Sequence, residues 1–183
     1  YHVWREKTPN RSRGVRITVS TSCFVPKSHT PFQWEAQNTQ EEYLRKVTLL
    51  REHMRNKSIT YNWHDPETSY LEAVLSRGDR RIADVIEEAW RHGAKFDSWS
   101  EYFNLQTWLT AMETCGVSPA FYANRVREKD EILPWHVISD GVKESYLWRE
   151  RETAYAGKIT PDCKVKCSGC GADKLCKGGI CHG

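Results

Sequence analysis

The sequence predicts a predominantly helical α+β protein that ends in a cysteine-rich metal-binding tail. Three observations carry this. Several amphipathic stretches have helix start and stop signals, one stretch alternates with period two, and five of the seven cysteines fall within the last 21 residues. At 183 residues and 39% hydrophobic content, the chain can bury one substantial core. Eight Trp and eight Tyr beside 28% charged residues describe large aromatics inside a charged surface.

The alternating stretch is Val15 to Val25, where Val15, Ile17, Val19, Thr21, Cys23 and Val25 interleave with Arg16, Thr18 and Ser20. It predicts a strand at the centre of the fold. Two prolines and no helical period make Pro26 to Asn38 an extended loop leaving that strand. Thr39 and Glu42 form a capping-box pattern ahead of Tyr43, Leu44, Val47, Leu50 and Met54, which predicts a helix over about 40–55. A second strand is expected within Ser58 to Trp63. His64-Asp65-Pro66 then reads as a helix start, with Tyr70, Leu71, Val74 and Leu75 on one face and Gly78 as the stop. Asp79 is the expected cap of a further helix carrying Ile82, Val85, Ile86 and Ala89 inward, closed by Gly93. Leu105, Trp108, Leu109 and Met112 mark another, ended by Gly116, and Val142 to Ala156 a last one, ended by Gly157.

The tail reads Cys163-x3-Cys167-x2-Cys170-x5-Cys176-x4-Cys181-His182, with glycines between the thiols. Short glycine turns let several thiolates face one point, and reducing compartments keep clustered thiols free to ligate. Cys163, Cys167 and Cys170 are therefore the expected ligands, with Cys176 or Cys181 as the fourth. A Cys3His site through His182 is also geometrically open. Zinc and an iron-sulphur cluster both accept such spacing, so the metal stays undecided between them. Residues 158–183 hold five Lys against two Asp, which places the whole formal excess of +3 beside an anionic thiolate centre. Cys23 and Cys115, alone in apolar surroundings, read as small core residues.

No apolar run reaches the roughly 18 to 20 residues of a membrane helix, and the amino end lacks the apolar stretch of a signal peptide, so a cytoplasmic protein with no membrane partner is expected. Residues 1–157 balance 22 basic against 22 acidic residues, which does not support a broad nucleic-acid surface. The sequence also has no phosphate loop, nucleophile elbow or metal-binding histidine pair at helical spacing.

Two stretches are more specific: Val19-Ser20-Thr21 with Phe24 to Trp34, and Tyr70 to Arg81, joined by Leu133-Pro134-Trp135, Gly141-Val142, Tyr146-Leu147 and Thr160-Pro161-Asp162-Cys163. Together they resemble the carboxyl-terminal portion of an uncharacterised radical S-adenosylmethionine family over nearly the whole chain. The resemblance implies that Val15 to Ser22 is the last strand of a partial α/β barrel, giving divisions at 1–38 (strand and substrate-facing loop), 39–157 (helical domain) and 158–183 (tail). It places the loop carrying Lys27, His29, Phe32 and Trp34 at the substrate-facing end.

The family's cofactor-cleaving motif is Cys-x3-Cys-x2-Cys ahead of the barrel. Here that spacing occurs only at Cys163, Cys167 and Cys170, with Gly169 where an aromatic is usual and 13 residues remaining. The implied partner is thus an upstream radical domain, in the same gene product or on a separate chain. S-adenosylmethionine would be used only together with it, and the isolated chain is not expected to be active. Arg77, Arg80 and Arg81 are candidates for binding an anionic group, since arginine's planar fork bonds phosphate or carboxylate in pairs. The alternative expectation is a zinc-stabilised binding or structural module that contacts nucleic acid or a protein.

Overall fold

The computed structural model describes residues 2–7 and 14–172. Their elements run α1 (His2–Lys7), β1 (Ile17–Thr21), α2 (Gln40–His53), β2 (Ile59–Trp63), α3 (Pro66–Arg77), α4 (Ile82–Arg91), α5 (Leu105–Thr114), α6 (Pro119–Ala123) and α7 (Glu144–Tyr155). Helix accounts for 42% and strand for 6% of the described residues, so the helical α+β reading holds. A partial barrel is not formed by the described residues.

The caps explain most boundaries. Thr39 accepts the Glu42 backbone N–H, Asp65 accepts that of Thr68 ahead of Pro66, and Asn104 accepts those of Gln106 and Thr107. Gly93, Gly116 and Gly157 close their helices at positive φ, which glycine adopts without a Cβ penalty. Asp79 caps differently from expectation. It accepts the N–H of Arg81, and α4 starts only at Ile82, with no side chain capping it. Ile86 also departs from the expected inward face, being half exposed while Ile82, Val85 and Ala89 are buried.

β1 and β2 pair in parallel, Ile17 opposite Ile59 through Thr21 opposite Trp63, with α2 as the connection between them. The expected strand thus shrinks to five residues and lies at the margin: Ile17 is exposed and only Val19 and Thr21 turn partly inward. The centre is helical instead. One core joins α3, α4, α5 and α6 around Val74, Val85, Trp108 and Met112 and takes in Val25 from the loop after β1. A second core packs Trp34 with Leu133, Trp135 and Leu147. The segment 25–37 therefore belongs to both. Cys23 and Cys115 are half-buried rather than central.

Candidate functional site

The loop after β1 is held by its own hydrogen bonds. Thr30 Oγ1 donates to the Lys27 carbonyl at 2.7 Å, and the Gln33 and Glu35 N–H groups donate to the Thr30 and Phe32 carbonyls. His29 sits at φ 56°, a left-handed conformation that few side chains adopt. What holds it is Gln33, only 2% exposed, whose Oε1 accepts both the His29 N–H at 2.9 Å and the Trp135 indole N–H at 2.7 Å. Because both partners are donors, the amide oxygen must face them, and its orientation is not ambiguous.

This bracing creates a cleft of about 180 Å³ between the loop and the stretch leading into α7. Its polar wall consists of His29, Gln33, His136, Ser139, Asp140 and Glu144, backed by Trp135. His29 Nδ1 lies 3.8 Å from Asp140 Oδ1, and His136 Nε2 lies 2.6 Å from Glu144 Oε2. Neither lysine nor arginine lines it among the described residues.

Of the four expected substrate-facing residues, only His29 lines this cleft. Lys27 is exposed but ion-paired with Glu72 on α3. Phe32 sits in a row of edge-on aromatic contacts with Phe24 and Tyr155, ring centres 6.2 and 6.3 Å away. Trp34 is fully buried against Trp148 and presents no surface to a ligand, which corrects the expectation for it.

The arginine trio is likewise divided. Arg77 is fully buried, and its guanidinium donates to the carbonyls of Tyr122 at 2.9 Å, Arg125 at 3.3 Å and Glu35. Burial, then the neighbouring charges of Arg127 and Arg125, pushes its pKa down to about 10. With every nitrogen spent on backbone, Arg77 is a structural tie and not an anion ligand. Arg81 fills its fork with Asp79, at 3.0 Å from Nε and 2.6 Å from Nη2. Arg80 and Arg81 are both exposed and line a broad concavity that also involves Pro134 and Val137.

Asp79 supplies a pH test. The Arg81 hydrogen bond, aided by the Tyr122 hydroxyl at 3.0 Å, holds its carboxyl well below the usual range. A carboxyl depressed on folding adds stability that is present above the unfolded-state value near 4 and disappears as pH falls through the folded one. Asp79→Asn should therefore lower stability at pH 7 by about 1 kcal/mol or less, the pair being partly exposed. Thermal melts should show the gap narrowing as the pH drops below about 4.

In the tail, Asp162 organises a turn by accepting the N–H of Lys164 on its side chain and those of Val165 and Lys166 on its carbonyl. The chain then docks on the start of α7. Lys143 N–H donates to the Cys170 carbonyl at 2.8 Å, and Arg149 donates to that of Ser168 at 2.5 Å. Gly171, buried at φ 98°, packs where a Cβ would come within 3.1 Å of the Gly141 carbonyl oxygen. The docked segment therefore abuts the loop that walls the cleft.

Cys163 and Cys167 are exposed and Cys170 is half-buried. Among the described residues, no three His, Cys, Asp or Glu side chains stand together as a metal-holding group. The donor chemistry suits zinc or an iron-sulphur cluster. The expected completing ligands Cys176 and Cys181, like His182, lie outside the described residues.

The chain matches no family model, no curated protein and no solved structure. Gln33, His136, Asp140 and Glu144 were missed at the sequence level, although the Leu133-Pro134-Trp135 and Gly141-Val142 stretches bracket two of them. His136 and Asp140 carry no periodicity, and only the fold brings them to His29. Among the described residues, no helix is long and apolar enough to cross a membrane.

Proposed function

We propose that this chain is the carboxyl-terminal part of a radical S-adenosylmethionine enzyme, contributing a substrate cleft and an auxiliary cysteine-ligated metal site. The observation that carries this reading is the parallel β1-α2-β2 unit, whose first strand runs at its carboxyl end into the loop that builds the cleft. Crevices beyond the carboxyl ends of parallel strands are where open and barrel α/β folds place their ligands. A two-stranded parallel sheet is also the kind of fragment that would continue a barrel supplied from upstream. Its docked tail adjoins the cleft through Gly171 and Gly141.

In this reading His29 faces the substrate, and Cys163, Cys167 and Cys170 with Cys176 or Cys181 hold the auxiliary metal. Cofactor cleavage belongs to the upstream domain. The test joins this chain to the preceding part of its gene, purifies the product without oxygen and assays 5′-deoxyadenosine formation from S-adenosylmethionine. The joined protein should form it, the 183-residue chain alone should not, and His29→Asn should slow substrate turnover while leaving the fold intact. An upstream region without Cys-x3-Cys-x2-Cys, together with a chain that binds zinc only, would replace this reading with the zinc-stabilised module.

A further inference from the structure

Ion pairing around the break between α3 and α4 leaves three guanidinium charges unmatched. Arg81 is met by Asp79 at 2.6 Å, Arg125 by Glu131 at 2.6 Å and Arg151 by Glu35 at 2.5 Å. Arg77, Arg80 and Arg127 have no carboxylate at ion-pair distance among the described residues. Two of the three are inside the protein, Arg77 fully buried and Arg127 only 3% exposed. Arg127 also falls short of partners. Its Nη2 donates to the Arg77 carbonyl and its guanidinium lies 5.0 Å from the Trp135 ring centre, but its buried Nε has no acceptor. A buried charge without a counter-ion is costly, and water screens its field little.

These charges back onto one surface feature. The Arg77 carbonyl leads directly into Gly78, and Trp135 follows Pro134, so the Arg127 guanidinium lies against the two backbone stretches that wall a concavity of about 680 Å³. Arg80 and Arg81 line that concavity with Gly78, Asp79, Pro134 and Val137. The Arg80 side chain is exposed and bonds no described residue. Asp79, the one carboxylate of the lining, is already matched by Arg81 and the Tyr122 hydroxyl, which together use only part of the five N–H donors of Arg81.

From this juxtaposition we propose that the concavity binds a small phosphate monoester, its phosphate on Arg80 and the remaining donors of Arg81 and its organic part over Pro134 and Val137. Arginine's planar fork suits phosphate oxygens. A dianion is favoured over a carboxylate because the attraction grows with the charge it brings to Arg80, Arg77 and Arg127. Arg127 touches no ligand in this arrangement and acts through its field. The concavity shares no lining residue with the cleft beside His29, and the inference needs neither the upstream domain nor a metal.

The test is an NMR titration of the complete chain at about pH 7, where a phosphomonoester is mostly dianionic, following the backbone amides of Gly78, Arg80 and Val137. Phenyl phosphate is the probe. Inorganic phosphate lacks the ring, benzoate lacks the second charge and benzyl alcohol lacks any, all at equal low ionic strength. Phenyl phosphate should shift these signals to saturation, inorganic phosphate and benzoate should bind about tenfold more weakly, and benzyl alcohol should cause no shift.

Arg80→Ala should weaken phenyl phosphate by about tenfold, and Arg127→Met by a few-fold, whereas Arg91→Ala, at an exposed arginine paired with Glu87, should not change it. Non-saturating shifts, benzoate binding as tightly as phenyl phosphate, or an equal loss in Arg91→Ala would overturn the proposal. So would unaltered affinity in Arg80→Ala or in a folded Arg127→Met. Arg80→Ala removes no described contact of its side chain and decides the matter even if Arg127→Met does not fold.

Discussion

Arg77→Met should cost the fold about 3 kcal/mol or more, the largest loss expected from any single side chain at the arginine cluster. From α3 the guanidinium reaches two other parts of the chain: the Glu35 carbonyl in the loop after β1, and the Tyr122 and Arg125 carbonyls at and after α6. Methionine fills much of the volume but donates nothing, which leaves three inward carbonyls short of a partner at about 1 to 3 kcal/mol for each that water cannot reach. The loss should spread, because Arg127 donates in turn to the Arg77 carbonyl at 2.7 Å and its own N–H bonds the Trp34 carbonyl.

Arg77→Lys keeps the charge and one donor direction but not the fork, so it should fall between methionine and the natural residue. Arg80→Ala should lie within about 0.5 kcal/mol of it. Urea denaturation midpoints at constant m-value measure all three. An Arg77→Met protein as stable as the natural one would show that the buried ties contribute nothing and would reopen Arg77 as a ligand residue.

That arginine illustrates where sequence reading ends. Arginine is rarely fully buried, and three arginines around Asp79 between two helices look like a solvated or anion-binding group. Only the tertiary arrangement separates Arg77, turned inward from the last turn of α3, from Arg80 and Arg81 beyond the Gly78 break. The helices were legible because their signals are local: Thr39 and Asp65 cap, Pro66 opens, and Gly93, Gly116 and Gly157 close within a residue or two of expectation. Helix α6 was not legible. Five residues are too few to display a period, although Ser118-Pro119 repeats the Asp65-Pro66 start signal.

Period two correctly identified β1 as a strand but misplaced it. Alternation says which side chains share a face, and it does not say whether another layer covers that face. Ile17 is exposed here because β2 is the sole strand partner among the described residues. The cleft lay further beyond reach, since Gln33 and Trp135 are 102 residues apart and their bond is what poses His29. The sequence pointed to the loop by its mixture of charge and aromatics. Trp34 turned out to be its anchor, and Gln33, which drew no notice, its most informative polar group.

The second large effect concerns the tail, where Cys167→Ser should abolish stoichiometric metal binding in the anaerobically purified chain. On the proposed reading, ligation must order what apolar burial cannot, because residues 158–183 contain few large apolar side chains. Apparent zinc-site energies of about 10 to 16 kcal/mol are ample for a segment this short. Cys167 is the informative position. It is exposed and its removal disturbs no described packing, whereas Cys170 is half-buried and its carbonyl accepts the Lys143 N–H at the start of α7.

A serine at 170 keeps that backbone bond, so both variants should leave residues 14–157 as stable as before while exposing the chain beyond Gly171 to protease. Metal analysis should find zinc, or iron with acid-labile sulphide, and X-ray absorption should place sulphur near 2.3 Å. Unchanged metal per chain and unchanged tail protection in both variants would remove the site. Retention of metal by Cys176→Ser and by Cys181→Ser separately would mean that these two replace each other or that His182 is the fourth ligand. Loss in only one of them names the ligand.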